Sequence, residues 1–421
     1  MKIIQITASY KPAYIYGGPI QSVAKLCEAM AALSDKREAE SEVNLQVLTT
    51  TANGASELDV TIGKTTLVDG VKVSYFKRWT KDHSHFAPGL LLNLRKEILH
   101  CIQDDKPDAQ GESKNRPPRL ADTPPKEGNV IHIHAWWNLV SVLSCWVAKR
   151  YKVPVVLSPR GMLTSYTQTN RNSFFKKILH RSIGEKLLQY CHIHATSEHE
   201  KQDILKIVIP KSIIVIPNLV NAQLPVFSSQ LDVAHEPLMV DDSVFRLIFL
   251  SRIEEKKGLE LLLDALSLLD VDWQLTIAGS GKKEYVSGLR EKTKSLKLDH
   301  RINWIGQVSD QDKYGLMAKH DLLVLTSFNE NFANVVIESL SVGTPVLVSD
   351  QVGLSDYVKE RQLGWVCTLE TNNIKEKLVD SYHAQEARKK IRQLAPEIIR
   401  KDFDNQLLAY RYLEMYQELT E

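Results

Sequence analysis

The chain has 421 residues, more than one hydrophobic core ordinarily supports, which predicts two domains of roughly 150–220 residues each. Hydrophobic residues make up 43% and charged residues 25%, which excludes global disorder, and a formal net charge of +2 argues against a dedicated nucleic-acid-binding protein. The five cysteines form no metal or redox motif, and no apolar run approaches the roughly 20 residues of a membrane span. These features predict a cytoplasmic protein.

Short apolar runs alternate with longer stretches of helical period along most of the chain. The predicted strands are 2–7, 44–49, 130–134, 153–158, 192–196, 213–216, 245–251, 274–278, 302–305, 322–326 and 345–348. The predicted helices are 20–34, 90–103, 139–152, 202–207, 258–269, 283–296, 310–319, 333–341 and 403–419. This alternation predicts an α/β protein built from two doubly wound parallel sheets.

The irregular stretch 217–243 separates the two series and predicts an interdomain linker. The first domain is therefore expected over 1–216 and the second over 244–401. The last segment, 402–421, is expected to return to the first domain as a helix. A proline-rich stretch, 104–129, buries too little apolar surface to offset its ordering entropy and predicts a mobile surface insertion in the first domain.

Two glutamates eight residues apart are the most informative feature of the second half. Glu330 follows the apolar run Leu322–Thr326, so it is predicted in the loop at the carboxyl end of a buried strand, and Glu338 lies in the helix that follows. Open α/β sheets bind ligands at that edge. At about 1.5 Å rise per residue, the two carboxylates would stand roughly 10–12 Å apart and could hold two parts of one extended ligand, such as a sugar nucleotide.

Other turns at the carboxyl ends of predicted strands carry glycines or cations. Gly17 and Gly18 follow the first strand and suit a close approach to phosphate at a helix amino end, although a plain structural turn explains them equally well. In the second domain, Arg252 and Lys257 could neutralise a diphosphate without a metal. The alternative is a solvated turn in which the neighbouring glutamates, 254 and 255, pair with the lysines.

The strand 130–134 carries two histidines on one face, and its last residue, His134, is predicted either to hydrogen-bond a substrate or to be a satisfied core residue. Arg160 lies in a similar turn after the next strand. The pair Asp270 and Asp272 spells the Asp-x-Asp of metal-dependent sugar transferases, but it precedes a strand and so predicts a turn at the opposite edge. The basic segment 171–190 is predicted as a core-facing helix or as a helix on a membrane surface.

Taken in chain order, the glycine pair at 17–18, Arg252 to Gly258, Ala278 to Gly281 and the glutamate pair resemble family 4 of the retaining glycosyltransferases, with the GT-B fold of two Rossmann-like domains facing across a cleft. The resemblance implies catalytic roles for His134, Arg252, Lys257 and Glu330. It implies donor contacts for Gly18, Gly279, Gly281, Asn331, Phe332, Ala333 and Glu338. It implies acceptor or junction contacts for Gly17 and Arg160, and neither a metal nor a cofactor.

The resemblance implies that the diphosphate lies on Arg252 and Lys257, the donor sugar on Glu330 and the ribose on Glu338. The reaction it implies is retaining, metal-independent transfer from a nucleotide-diphosphate sugar to a hydroxyl of a glycan or lipid-linked glycan, with peripheral contact at the inner membrane face left open. Alanine at 333, where many relatives have glycine, leaves the donor's identity open. A sugar-nucleotide epimerase of the same fold and a non-catalytic nucleotide-sugar-binding protein are the alternatives.

Overall fold

The computed structural model describes residues 1–13, 15, 17–35, 43–82, 84–104, 128–164, 184–220 and 244–420, with backbone alone at 34–35 and 101–104. The expected insertion 104–129, the linker 217–243 and the basic segment 171–190 lie largely outside these residues. The chain divides into two compact units, Met1–Leu219 with Asn405–Glu421, and Val220–Asp404.

The first unit contains one large sheet and helices on both of its faces. Its strands are β1 Lys2–Ile6, β2 Asn44–Thr50, β3 Ala52–Asn53, β4 Ser56–Glu57, β5 Thr65–Val68, β6 Val71–Phe76, β7 Asn129–His134, β8 Val155–Ser158, β9 His192–Ala195 and β10 Ser212–Val215. Its helices are α1 Gly18–Asp35, α2 Pro88–Asp104, α3 Leu139–Arg150, α4 Glu185–Leu188 and α5 Glu198–Leu205. The strand order is β10-β9-β8-β7-β1-β2-β6-β5, parallel except for β5, and β3 with β4 forms a separate hairpin.

The second unit contains a six-stranded, fully parallel sheet in the order β13-β12-β11-β14-β15-β16. Its strands are β11 Phe245–Leu250, β12 Trp273–Ala278, β13 Ile302–Gly306, β14 Leu322–Leu325, β15 Val346–Ser349 and β16 Gly364–Cys367. Its helices are α6 Leu259–Leu266, α7 Lys283–Ser295, α8 Asp312–Ala318, α9 Asn334–Ser341, α10 Ser355–Glu360, α11 Thr371–His383 and α12 Gln385–Asp402. Helix α13, Asn405–Glu418, closes the chain in the first unit.

Both faces of the first sheet are buried, as the alternation along β1 shows. Ile3 packs in the cluster that includes residues of α1 and α13, whereas Ile4 and Ile6 pack in the cluster that includes residues of α2 and α3. A parallel strand covered by helices on both sides must be apolar at nearly every position, which is how these runs read in the sequence. The prediction of two doubly wound parallel sheets is confirmed.

The sequence reasoning missed several elements near the edges of the sheets. These are the edge strand β5 with its neighbour β6, the hairpin β3–β4, the edge strand β16, and helices α10, α11 and α12. Strand β5 alternates exposed and half-buried residues, and β16 has a single buried position, so neither has the apolar run that marks a central strand. Among the described helices, none is both long enough and apolar enough to cross a membrane.

Candidate functional site

The second sheet reverses its strand order between β11 and β14. The chain lays down β11, β12 and β13 in one direction and then crosses back to place β14, β15 and β16 on the other side of β11. The carboxyl ends of β11 and β14 therefore flank the topological switch point, where open α/β sheets hold ligands. The loops that follow these two strands carry most of the candidate residues.

Lys257 ends a 3₁₀ turn, Glu255–Lys257, that lies between β11 and α6. The next residue, Gly258, has φ +65°, and a Cβ there would lie 2.0 Å from the carbonyl oxygen of Thr326. The Thr326 hydroxyl also donates to the Gly258 carbonyl at 2.9 Å. Glycine therefore lets the loop that carries Lys257 press directly against the end of β14.

That close approach places Lys257 in an ion pair with Glu330, and both side chains are almost buried, at 9% and 13% exposure. The Glu330 backbone is held on both sides, since its N–H donates to Gln351 at 3.1 Å and its carbonyl accepts from Gly353 at 2.7 Å. Arg252, which is half exposed, pairs instead with Glu254 at 2.9 Å. The alternative in which Lys257 pairs with its neighbouring glutamates is thus wrong, because its partner comes from the next strand in the sheet.

Electrostatics at this pair favour the ionised carboxylate. Burial acts to raise the pKa of Glu330, but Lys257, Lys256 and Arg252 outweigh it and hold that pKa below its ordinary value. Burial lowers the pKa of Lys257, against the opposing effect of Glu330. Three cations thus act on the Glu330 carboxylate, and one of them, Arg252, is also paired with Glu254.

Glu338 lies in α9 and is buried. Its Oε1 accepts a hydrogen bond from Lys313 Nζ at 2.8 Å, and Lys313 also contacts Asp310 at 2.9 Å. The structure thus gives each of the two glutamates its own lysine, Lys257 for Glu330 and Lys313 for Glu338. The sequence reasoning did not single out Lys313.

Gly279 and Gly281 follow β12, where the sequence predicts room for a nucleotide. A Cβ at Gly279 would lie 1.8 Å from the carbonyl oxygen of Ser251, and one at Gly281 would lie 2.2 Å from that of Ile253. Both glycines are therefore required by the chain itself, because they let the loop after β12 pair with the loop after β11. This packing positions the neighbouring Arg252.

The three residues after Glu330 lead into α9. Phe332 is buried and stacks edge-on against Phe403, with ring centroids 6.1 Å apart, so its side chain belongs to the core and its backbone alone could meet a donor. Asn331 lies beside it, half-buried. Ala333 caps the helix in the left-handed conformation, at φ 71° and ψ 74°. An L-residue with a Cβ is strained there, unlike glycine.

Replacing Ala333 with glycine should stabilise the protein by about 1 kcal/mol, because relief of left-handed strain of about 1–2 kcal/mol exceeds the added backbone entropy of the unfolded chain. Chemical denaturation, followed through the unfolding transition of the second unit, would measure this change in unfolding free energy. Ala384, which follows α11 at negative φ, provides the control. Glycine at 384 should destabilise, and an Ala333→Gly variant that is less stable than the parent would contradict the strain.

In the first unit, Arg160 follows β8 with φ 52° and extends its guanidinium toward the start of α1. Its NH1 donates to Ser22 Oγ at 2.8 Å and to Asn218 Oδ1 at 3.1 Å, and its Nε and NH2 donate to His134 Nδ1. Burial lowers its pKa. In the described part of the chain, no carboxylate lies within ion-pair distance of it.

His134 is buried, and both of its ring nitrogens are engaged within the protein. Nδ1 faces Arg160, which only donates, and Nε2 lies 2.7 Å from Gln5 Oε1, which only accepts. His134 is therefore the Nε2–H tautomer. In this position it supports Arg160, and the substrate contact that the resemblance implies for His134 stays a prediction.

These two residues begin a hydrogen-bonded chain through the interior of the first unit. It runs in order through Arg160, His134, Gln5, Tyr416, His132, Ser158, His194 and the carbonyl of Ile216. The successive distances are 3.2, 2.7, 3.1, 2.6, 2.6, 2.7 and 2.8 Å. One end can only donate and the other can only accept, so every proton in the chain points the same way. Tyr416 belongs to α13, so these hydrogen bonds tie helix α13 to the centre of the sheet.

Gly17 and Gly18 lie at the start of α1. Gly17 has φ +68° with open space around its missing Cβ, so its backbone conformation is what favours glycine. Its carbonyl accepts from Ile20 at 3.1 Å, and Gly18 is the first helical residue. Ser22, whose hydroxyl accepts the hydrogen bond from Arg160, lies one turn further along the same helix.

Glu200 is a further residue that the sequence reasoning missed. It is buried, and its carboxylate accepts from the Gly161 N–H at 2.6 Å and from the N–H and hydroxyl of Thr196 at 2.7 Å, which ties together the loops after β8 and β9. The Glu200 N–H bonds Ser197 Oγ at 3.1 Å. The Ser-x-x-Glu spacing at the start of α5 was the available sequence signal.

The carboxylates of the Asp-x-Asp motif lie away from this site. Asp272 directly precedes β12 at the amino edge of the sheet, where its carbonyl accepts from Phe245 at 2.9 Å and its side chain lies 3.6 Å from Arg301. This is the turn that the sequence predicts. Over the described ranges, no group of three or more histidine, cysteine, aspartate or glutamate side chains is placed to hold a metal ion.

Two family models match the chain. The model of the "Glycosyl transferases group 1" matches residues 233–397, and that of "Glycosyltransferase Family 4" matches residues 127–224. The first covers the switch point with both glutamates and both glycines of the β12 loop. The second covers strand β7, which ends at His134, and the loop that carries Arg160.

Individual relatives are similar over part of their length. A D-inositol 3-phosphate glycosyltransferase of Pseudarthrobacter chlorophenolicus is 32% identical over 152 residues, 34% of this chain and 33% of that protein. A phosphatidyl-myo-inositol mannosyltransferase of Mycobacterium leprae is 29% identical over 241 residues, 56% of this chain and 59% of that protein. The chain thus spans between a third and about three fifths of the length of these two relatives.

Among solved structures, Anabaena HepE in complex with UDP and glucose superposes with a TM-score of 0.68 at 17% identity, covering 99% of this chain and 100% of that one. Sucrose-phosphate synthase from Thermosynechococcus elongatus superposes with a TM-score of 0.69 at 16% identity, covering 100% and 99%. At such identities the likeness establishes the fold, which is GT-B.

Proposed function

Since this chain belongs to the group 1 glycosyltransferases of family 4, we propose that it transfers a sugar from a nucleotide-diphosphate sugar to a hydroxyl of a glycan or lipid-linked glycan acceptor, with retention of configuration and without a metal. Structures similar to this one include complexes of HepE with UDP and with UDP-glucose, which supports a nucleotide-sugar donor. The similar mycobacterial protein is a phosphatidyl-myo-inositol mannosyltransferase, which supports a lipid-linked acceptor.

The observation that carries the proposal is the buried Lys257–Glu330 pair at the switch point, with Arg252 beside it. A nucleotide-sugar donor brings a diphosphate whose negative charge increases when the sugar leaves. Lys257 and Arg252 are placed to stabilise that charge, and because their loops are already packed, little reorganisation is needed at the moment of reaction. This supports chemistry in which side-chain cations do what a metal does in other transferases.

In this scheme Glu330 positions the donor sugar. Its carboxylate already binds Lys257, so it accepts hydroxyl hydrogen bonds from the sugar while its charge keeps the lysine in place. The retained configuration follows if the acceptor hydroxyl attacks on the face that the diphosphate leaves, with the leaving phosphate taking the acceptor's proton. Glu330 then forms no bond to the sugar.

On the first unit, Arg160 is the candidate for the acceptor side. Its guanidinium is oriented by His134, Ser22 and Asn218, which are neutral, and the Glu200 carboxylate acts on it electrostatically without a direct ion pair. A half-buried guanidinium that forms no direct ion pair in the described part of the chain favours an anionic or hydroxyl-rich ligand. Its lowered pKa still leaves it charged at neutral pH.

Glu330→Gln tests the assignment on the donor side. We expect the variant to bind nucleoside diphosphate with unchanged affinity, because the amide keeps an acceptor for Lys257, and to lose transfer by about 10²-fold or more, because charged hydrogen bonds to the sugar are lost. Thermal-shift screening with UDP, GDP, ADP and their sugars identifies the donor, and calorimetry then compares the two proteins. A Glu330→Gln variant with full transfer would overturn the sugar-side role.

Product analysis separates the alternatives. Incubation with the nucleotide sugar alone should give at most slow hydrolysis, whereas a hydrolysing epimerase would release an altered sugar without any acceptor. A non-catalytic binding protein would give no product with any acceptor.

Full activity in the presence of a chelator is expected, and loss of activity that Mg²⁺ or Mn²⁺ restores would overturn metal independence.

A further inference from the structure

The ion pair between Lys313 and Glu338 is internal to the second unit. The Glu338 side chain is 9% exposed and the Lys313 side chain 11%, so both groups are largely removed from water. A carboxylate in such surroundings remains ionised only when a partner offsets its desolvation. The described contact that does so for Glu338 is the Lys313 ammonium, at 2.8 Å from Oε1.

Lys313 is held before any ligand arrives. Ser309 caps the start of α8, since its hydroxyl accepts from the Asp312 N–H at 3.2 Å and its carbonyl accepts from the Lys313 N–H at 3.1 Å. Further along, the Met317 carbonyl accepts from the Thr344 hydroxyl at 2.8 Å, which ties α8 to the loop before β15. Burial acts to lower the pKa of Lys313, but Glu338 outweighs it and raises that pKa above its ordinary value.

The ammonium contacts one carboxylate oxygen, and this has a geometric consequence. A lysine is a point charge and takes one oxygen, whereas an arginine fork would take both. Oε2 of Glu338 is therefore the atom that remains for a ligand hydroxyl, in an orientation set by α8. Glu338 lies eight residues beyond Glu330, on the helix that follows the switch-point loop.

We propose that Lys313 is a positioning residue that holds Glu338 ionised and oriented to accept hydrogen bonds from the ribose hydroxyls of the nucleotide, and that it thereby sets the preference for ribose over deoxyribose. This inference rests on the proposed nucleotide-sugar donor. Lys313 touches neither the ribose nor the reacting atoms. Its effect is confined to the nucleotide end of the donor, away from Lys257 and Arg252.

The test compares the nucleoside diphosphate that binds best, among UDP, GDP and ADP, with its 2′-deoxy and 3′-deoxy counterparts by calorimetry. The parent should prefer the ribonucleotide by about 10- to 100-fold, the range for hydrogen bonds to a charged group. In Lys313→Met that preference should fall toward unity, and Lys313→Arg should not restore it, because the arginine fork would take both carboxylate oxygens. KM for the donor should rise while kcat changes little.

The rise in KM at an unchanged kcat, together with the loss of ribose preference, is a readout that a merely structural role would not change. Lys313→Gln, which removes the charge but keeps a hydrogen-bond donor, provides a second variant if the methionine variant folds poorly.

Lys292→Met is the matched control, because Lys292 forms a comparable 2.8 Å pair with Asp264 at the surface of the same unit. It should leave affinity and preference unchanged. Equal losses for ribose and deoxyribose nucleotides in Lys313→Met and Lys313→Gln would overturn the positioning role. A parent protein that binds no nucleoside diphosphate would overturn the proposed donor itself.

Discussion

Lys257→Met should lower turnover by about 10²- to 10³-fold, the loss typical of removing one preorganised charge stabiliser from a transition state. The close approach at Gly258 packs Lys257 against the end of β14, and its side chain is almost buried, so neither water nor Lys256 can take its place at low cost. Initial rates at saturating donor and acceptor would measure the effect on kcat.

The same substitution also leaves Glu330 as a buried carboxylate without its ion-pair partner, so the effect on stability must be separated from the effect on catalysis. We expect Lys257→Met to lose about 3–5 kcal/mol of unfolding free energy, and Lys257→Met with Glu330→Gln to regain much of it, because the double variant buries no unpaired charge. Activity should stay low in both. If the double variant recovered turnover along with stability, Lys257 would be a structural residue only.

Acidification from pH 7 to pH 5 should destabilise the first unit strongly through its buried histidines. Burial lowers the pKa of His194 to about 3, and it lowers those of His132 and His134 well below their ordinary value. The unfolded chain binds protons below about pH 6.5 and the native one does not. The stability that these neutral histidines contribute is therefore fully present above about pH 6.5. It is lost progressively as the pH falls, and at pH 5 the unfolding free energy is lower by about 2 kcal/mol per histidine.

Proton uptake on unfolding provides the direct measurement. At pH 5.5, the three histidines should together take up about three protons when the first unit unfolds, and His194→Asn should reduce this by about one. His300→Asn is the control, since His300 is exposed on the second unit and should leave the uptake unchanged. An unchanged uptake in His194→Asn would show that this histidine is already charged in the native protein.

The sequence was sufficient to predict the α/β alternation, the paired parallel sheets and the strand-end loops that carry Glu330, Arg252, Lys257 and Arg160. These follow from local patterns, because apolar runs, helical periods and glycine turns each act over a few residues. The same patterns failed at β5 and β16, whose edge positions require little apolar surface. The same patterns also did not predict helices α10–α12.

Partners between distant residues were beyond the sequence alone. Nothing near Lys257 in the sequence indicates that it pairs with Glu330 rather than with Glu254 or Glu255, because that choice depends on β14 crossing back beside β11. Lys313 lies 25 residues before its partner, Glu338. The sequence likewise did not show that Gly279 and Gly281 are needed for the close approach of the loop after β11, and their contact with a nucleotide stays a prediction.

The histidines of β7 show most clearly which properties the sequence determines and which only the tertiary structure decides. Period two along β7 is a local property of an extended strand, so the sequence by itself determined that His132 and His134 share one face. Only the tertiary structure decided what they do there, because Gln5 comes from β1 and Tyr416 from α13, 411 residues apart. Hydrogen bonds have direction and need both partners in place, and the sequence alone does not place those partners together.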